Sequence, residues 1–403
     1  MPASSLNVLA VHAAYQQRGG EDAVAESEIA LLRAHGHRVD TYLRDNAEAD
    51  SLSAVDLAMS TVWSRRTERE VSALIEARRP DVIHAHNTFP LISPSLYWVA
   101  ARHGIPVVQT LHNFRLGCLN AFLLREGRNC EDCVGRLPWR GVVHGCYRGS
   151  RPVSAVLAGS LAVHRGLGTF NRKVARYIAL NDFTRQKFIE MGLPAGRVVV
   201  KPNFIDFPEP TPQRRDNFLF VGRLSLEKGI TTLAAAHALT PDVHLRVAGD
   251  GPERATLNDL ERVERLGLLS PDLVREEMNR AAAVVIPSIW YENFPRTLVE
   301  AFACATPVIA SRIGALATLV EDGRTGLLFE PGNAQDLSAK LAWAHAHPQR
   351  MAAMGQAARQ RYLADYSPEV NYRRLIEIYR EAIDEKDLPQ AAGTRHSLEP
   401  EAR

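Results

Sequence analysis

Compact apolar runs alternate with amphipathic stretches along most of this chain. The runs at residues 7–10, 38–42, 81–84, 106–110, 177–180 and 198–200 are short and bounded by turn residues, which predicts strands. Between them, 3.6-residue spacing at 26–34, ending before Gly36, and at 71–77 predicts helices. The pattern then restarts. Strands are expected at 218–221, 244–248, 263–266, 282–286 and 307–310, with a helix opening near Thr231. Runs that are apolar throughout suit parallel strands covered by helices on both faces. Strands alternating with helices, twice over in 403 residues, predict an α/β chain of two Rossmann-like domains with parallel sheets facing a cleft. The junction falls at Pro202, Asn203, Phe204, Ile205 and Asp206, after which Pro208, Pro210 and Pro212 give linker composition. The domains expected are 1–205 and 206–367, followed by a helical segment at 368–386 and a polar, disordered tail at 387–403.

Composition adds little until charge is considered. A hydrophobic content of 46% with 23% charged residues is that of a soluble globular chain. No apolar run approaches the roughly 18 residues of a membrane helix, and no signal-peptide pattern opens the chain, so a cytoplasmic location is expected. The net charge is only +2, yet residues 1–205 hold 25 Lys and Arg against 18 Asp and Glu. Residues 134–176 hold eight of those cations and no acid, together with Trp139, Tyr147 and a small-apolar segment at 153–163. Two readings stand. The segment meets anionic lipid headgroups or a pyrophosphate-linked acceptor, with the chain peripheral on the inner membrane face, or it is a basic surface over a buried helix. No nucleic-acid partner is expected.

Candidate chemistry sits in loops at strand ends. After 282–286 come Pro287, Ser288 and Glu292, then a helix with Asn293 as N-cap, Pro295 in its first turn and Glu300 about a turn and a half on. Carboxylates beside a helix N-terminus suit a ligand with hydroxyls next to phosphates, which describes a nucleotide sugar. Taken alone, the pair reads more simply as a cap and a solvated face. After 218–221, Arg223 and Lys228 stand five residues apart between Gly222 and Gly229, able to reach one diphosphate from two sides. After the first strand, Gly19 and Gly20 let backbone N–H groups approach a phosphate. His112 ends the strand at 106–110 and would point into the crevice, with His86 and Asn87 toward an acceptor side. Asp250, between Gly249 and Gly251, reads as a turn residue.

In this order the motifs resemble those of the retaining GT-B glycosyltransferases of family 4. The likeness is carried by the Glu-x7-Glu spacing of Glu292 and Glu300, the stretch from Gly222 to Gly229, Gly19-Gly20, His112-Asn113 and the Gly249-to-Pro252 turn, and it covers nearly the whole chain. Two positions depart: Phe204 replaces a glycine of the family's Pro-Asn-Gly-Val-Asp segment, and Asp22 stands where its Gly-Gly-x-Glu loop has glutamate. The resemblance implies a GT-B fold in which an acceptor-binding first domain faces a nucleotide-sugar-binding second one and the last helix crosses back. It implies Arg223 and Lys228 on the donor pyrophosphate, Gly19 and Gly20 beside the phosphates, Glu300 on the ribose, Glu292 on the sugar hydroxyls and His112 at the reacting face. The activity implied is retaining transfer of a hexose-type sugar from a nucleoside diphosphate donor to a hydroxyl of a cell-envelope polysaccharide or lipid-linked acceptor. No cofactor is required for that chemistry, since no Asp-x-Asp element stands where a metal-bound diphosphate would need it. The rivals are another GT-B enzyme, such as a nucleotide-sugar epimerase or a phosphorylase, and a non-catalytic glycan-binding scaffold.

The cysteines stand apart from this. Five, an odd number, argue against a disulfide framework. Cys118, Cys130, Cys133 and Cys146, spaced C-x11-C-x2-C-x12-C in an insertion at 115–150, have the count and reach of a structural zinc site. Unbridged thiols in a long insertion are the alternative. Cys304 is expected in the core.

Overall fold

The computed structural model describes residues 5–16, 18–211, 215–258 and 260–387, so Pro212 and the expected tail beyond Asp387 lie outside the described residues. In chain order, β1 (Asn7–Ala14), β2 (Arg38–Asp45), β3 (Val82–Ala85) and β4 (Val107–Thr110) precede a small hairpin, β5 (Leu124–Arg125) and β6 (Arg128–Asn129). Then come β7 (Arg176–Ala179), β8 (Val198–Val200), β9 (Asn217–Val221), β10 (Leu245–Ala248) and β11 (Val263–Gly267). β12 (Ala281–Ile286), β13 (Val308–Ser311) and β14 (Gly326–Phe329) complete the strands. Two parallel sheets result, ordered β2-β1-β3-β4-β7-β8 and β11-β10-β9-β12-β13-β14.

Successive strand residues point to opposite faces, and here both faces are covered. Val8 and Ala10 pack with Val82, Val108 and Ile178 on one side, while Leu9, Val11 and Ala13 pack with Ile83, Val107 and Tyr177 on the other. The first side is closed by Ile29 and Leu32 of helix Gly20–Ala34 and by the final helix, Pro368–Asp387, which contributes Leu375, Ile376, Ile378, Tyr379 and Ala382. The other side is closed by helices Arg65–Arg78, Ser95–Arg102, Arg151–Gly166 and Asp182–Glu190. The second sheet repeats this, with Leu219 and Val284 on one face and Phe218, Phe220 and Val285 on the other.

Element ends differ from the sequence reading. β1 runs four residues past Ala10, and the helix expected at 26–34 already starts at Gly20, because Asp22 caps it by accepting the Gly19 N–H. β14 was not anticipated. Its first residue must be small, since a Cβ on Gly326 would come 2.3 Å from the Val308 carbonyl oxygen.

In each sheet the strand order reverses once, between β1 and β3 and between β9 and β12. Loops leaving such neighbours diverge and open a crevice at the strands' carboxyl ends. Those loops begin at Tyr15, His86, Gly222 and Pro287, which places the sequence motifs together.

Candidate active site

β12 delivers residues 287–295 as an irregular loop before helix Arg296–Ala303. Glu292 in that loop is 9% exposed. Its Oε1 accepts hydrogen bonds from Ser288 Oγ at 2.5 Å and Lys228 Nζ at 2.9 Å. Lys228 reaches it because Gly229, at φ 74°, packs so closely that a Cβ would lie 1.8 Å from the Pro287 carbonyl oxygen. Two residues expected to act separately are thus an ion pair, and the ammonium keeps its remaining N–H donors for an anion. Arg223 is exposed, with no hydrogen bond or ion pair to the described residues. Glu300 Oε1 accepts from Arg296 Nε at 2.7 Å.

Asn293 does not cap the helix. The helix begins at Arg296 with Pro295 in the cap position, and the Asn293 side chain is engaged elsewhere. Its Nδ2 donates to the Leu111 carbonyl at 2.9 Å, and its own carbonyl accepts from Asn181 Nδ2 at 2.7 Å. An amide committed to a carbonyl of the other sheet is not available as a cap; it ties the two halves instead.

The opposite wall starts with the loop after β1. Asp22 is buried and holds that loop, accepting from Gly19 N–H at 2.7 Å and Tyr15 N–H at 3.1 Å, with His12 Nε2 at 2.8 Å. Glu21, which sequence reasoning passed over, lines the cleft: Oε1 accepts from Asn113 Nδ2 and Oε2 from the Tyr15 hydroxyl, both at 2.9 Å. A Cβ on Gly20 would meet nothing within 4 Å, so the space beside it is open. His112 is half-buried and stacked on His86, with its Nε2 3.1 Å from His86 Nδ1. Burial lowers the pKa of His112 and puts that of His86 well below the usual imidazole range, which keeps both neutral at pH 7.

A cavity of about 320 Å³ separates the walls, bounded by Gly20, Glu21, His112 and Asn113 on one side and by Trp290, Glu292, Asn293 and Arg296 on the other. Arg223, Lys228 and Glu300 do not bound it directly; Lys228 joins it through Glu292 and Glu300 through Arg296. A second cavity of about 90 Å³ lies behind His112, past His86, Asn87 and Phe89 to Leu157 and Leu161. His112 borders both.

Residues 203–361 match the family described as glycosyl transferases group 1, and residues 19–203 match the glycosyl transferase 4-like domain. The D-inositol 3-phosphate glycosyltransferase of Nocardiopsis dassonvillei is 32% identical over 77% of this chain and 73% of its own length. The chain is a group 1 glycosyltransferase. The glycogen synthase of Mycobacterium tuberculosis is 28% identical over 77% of the chain and 71% of its own length. For the alpha-maltose-1-phosphate synthase of Mycolicibacterium smegmatis the figures are 34%, 40% and 46%, so the chain spans under half of that relative. Among solved structures, the sucrose-phosphate synthase of Thermosynechococcus elongatus aligns with a TM-score of 0.68 at 19% identity, over 94% of this chain and 100% of its own. Anabaena HepE, solved with UDP, gives 0.64 at 19% over 92% and 99%. At this identity the likeness shows the fold, which is GT-B.

In this glycosyltransferase the cysteine-bearing insertion forms part of the site. Asn129 of its hairpin donates to the Ile289 carbonyl and accepts from the Tyr291 N–H, both at 3.2 Å, and Phe122 packs on Trp290 at 5.3 Å. Nothing in the spacing of the cysteines indicated that contact. Cys118 is buried, the other three thiols are half-buried, and all four lie within electrostatic reach of one another. Among the described residues, three or more ligand atoms mutually within 4.8 Å occur at Glu28, His84 and His86 and not at the thiols, so the four are neighbours without a closed tetrahedron. Cys304 is core, and burial pushes its thiol up to about 12.

The basic segment divides. Arg165 binds the Arg136 and Leu116 carbonyls and Arg176 pairs with Glu381 and Glu385 of the last helix, so these two hold structure. Arg136, Arg148 and Arg151 are exposed, beside exposed Trp139, Val143 and Val153 on helices Trp139–Val143 and Arg151–Gly166. No helix among the described residues is long and apolar enough to cross a membrane.

Proposed function

We propose that this glycosyltransferase moves a hexose-type sugar, with retention, from a nucleoside diphosphate donor to an acceptor hydroxyl. One observation carries the reading: Glu292, which is held by Lys228 behind it, and His112 with Glu21 line opposite walls of one cavity. Lys228 and Arg223 take the charge of the leaving diphosphate, the electrostatic contribution expected to dominate the acceleration. The N-terminus of helix Gly20–Ala34 adds to it, with the open space at Gly20 admitting phosphate oxygens. Glu292 holds the sugar hydroxyls, Glu300 the ribose, and residues 1–205 take the acceptor in the cavity behind His112. Glu292 Oε1 is committed to Ser288 and Lys228, which leaves Oε2 for the sugar hydroxyls. UDP and UDP-glucose are what the Anabaena HepE structures hold, which makes uridine donors the first to test.

The acceptor is a cell-envelope glycan or a lipid-linked one, and exposed Trp139 and Val143 amid Arg136, Arg148 and Arg151 suit an anionic membrane surface. The four thiols hold a structural zinc. Ala121, Leu123 and Glu126 of that loop sit at φ 70°, 50° and 51°, a region sparsely populated by non-glycine residues, and a bound metal would add to the packing that holds Ala121 and Leu123 there.

Thermal unfolding with UDP, GDP, ADP and their sugar conjugates tests the reading. Free ligand at about 100 times its Kd adds roughly 2.7 kcal/mol. A shift with one nucleotide family, and nucleotide release only when an acceptor is added, is the expected result. Sugar interconversion without acceptor would mean an epimerase, and no shift with any nucleotide would favour a scaffold.

A further inference from the structure

Beneath His112 lies a buried polar set that the proposed reaction does not use. Glu28, on helix Gly20–Ala34, and Lys201, after β8, are fully buried. Lys201 Nζ donates to Glu28 Oε1 at 2.5 Å and to Asn371 Oδ1, on the final helix, at 3.0 Å. The other carboxylate oxygen, Glu28 Oε2, has no hydrogen-bond partner, and neither has His86 Nε2; the two atoms are 3.7 Å apart. Across the same ring, His86 Nδ1 meets His112 Nε2 at 3.1 Å. His84 is already satisfied, by the Tyr379 hydroxyl at Nδ1 (2.7 Å) and by Thr110 Oγ1 at Nε2 (2.8 Å).

Ligand atoms of Glu28, His84 and His86 lie within 4.8 Å of one another, yet a metal suits the place poorly. The Lys201 ammonium shares the same carboxylate and Tyr379 fills His84 Nδ1, so a divalent charge would be buried beside a cation with one carboxylate between them.

We infer that Glu28 is a positioning residue that fixes the tautomers of His86 and His112, so that His112 offers an unprotonated Nδ1 to the cleft and accepts a hydrogen bond from a hydroxyl there. The argument is a proton count. A neutral imidazole carries one N–H. With that proton on His86 Nδ1, the Nε2 lone pair would oppose the Glu28 carboxylate in a low-dielectric interior. With it on Nε2, the N–H points at the carboxylate and Nδ1 becomes an acceptor. His112 must then donate from Nε2, which leaves its Nδ1 bare. The proposed transfer reaction enters only in naming the hydroxyl as that of a sugar or acceptor; the tautomers belong to the resting protein.

Long-range proton–nitrogen correlation spectra of the full chain labelled with ¹⁵N-histidine, assigned with single-histidine substitutions, read this directly. Both His86 and His112 are expected as Nε2–H. In Glu28→Gln the side-chain carbonyl stays on Lys201 and the amide NH2 faces His86, so both tautomers invert to Nδ1–H. Turnover then falls about 10- to 100-fold through misorientation, while nucleotide affinity stays within about twofold. An Nδ1–H on His112 in the wild-type protein, or unchanged tautomers in the variant, overturns the inference. Should the variant fail to fold, the wild-type spectrum alone decides. Correct tautomers in a protein that shows no transfer would sustain this inference and sink the proposed reaction.

Discussion

Lys228 is where the charges of this cleft meet, since it neutralises Glu292 and has donors to spare. Lys228→Ala should leave the fold intact, because the side chain is partly exposed, and weaken nucleotide binding by about 10- to 100-fold, the worth of one charged hydrogen bond at roughly 1.5–3 kcal/mol. Glu300→Ala should weaken it similarly; titration calorimetry with the donor nucleotide reads both, and unchanged affinity in either variant removes that residue from the site. Gly229→Ala is a different experiment. The added Cβ collides with the Pro287 carbonyl at a left-handed backbone position, so a loss of about 1–3 kcal/mol in stability is expected by urea unfolding. The buried histidines set a pH limit. His84, His86 and His112 have folded pKa values below the ordinary 6.5, so the unfolded chain binds protons more readily below that pH. Their stabilising contribution is full above pH 6.5 and is lost as pH falls from there. Urea midpoints should therefore drop between pH 7 and pH 5.5, and His84→Asn should flatten that drop. Glu28 and Asp22, with pKa values lowered in the fold, lose their contribution only in the carboxylate range.

At the level of elements, the final helix and the cysteine insertion decide most. The final helix buries five apolar side chains on the first sheet. At about 1.5–3 kcal/mol each, these rival the 5–15 kcal/mol that hold a whole domain. A chain ending at Tyr366 should be insoluble, and a soluble, nucleotide-binding truncation would contradict this packing. For the insertion, elemental analysis should find about one zinc per chain, and a chelator should free four thiols. Four thiols titrating without any metal loss would leave the cysteines unbridged. Strands here were legible because β1, β3 and β9 are apolar on both faces. β14 was not, since Gly-Leu-Leu-Phe lacks β-branched residues and its pairing depends on a glycine against β13. Asn293 misled because N-cap preference is local, whereas its actual partners, Leu111 and Asn181, come from the other half.

For the whole molecule, two sheets are held across a cleft by a few amide side chains, Asn129, Asn181 and Asn293 among them. In the first half, Arg136, Arg148 and Arg151 present an exposed basic surface, whereas Arg165 and Arg176 are held by structural partners. If that surface meets a membrane, the protein should sediment with vesicles rich in anionic lipid at low salt and release at high salt. Reversing Arg148 and Arg151 to Glu should reduce the bound fraction several-fold without changing nucleotide affinity. Equal binding of the double variant would assign the patch another role.

The sequence by itself determined the class of fold, the two-sheet organisation and the loops that carry chemistry, because periodicity, glycines and paired charges act over a few residues. Only the tertiary structure decided which of those charges meet. The Lys228–Glu292 pair spans 64 positions, the Asn129 contact with Tyr291 spans 162, and the Lys201 hydrogen bond to Asn371 spans 170. Contacts at such separations depend on how sheets and helices stack, and no local spacing encodes them.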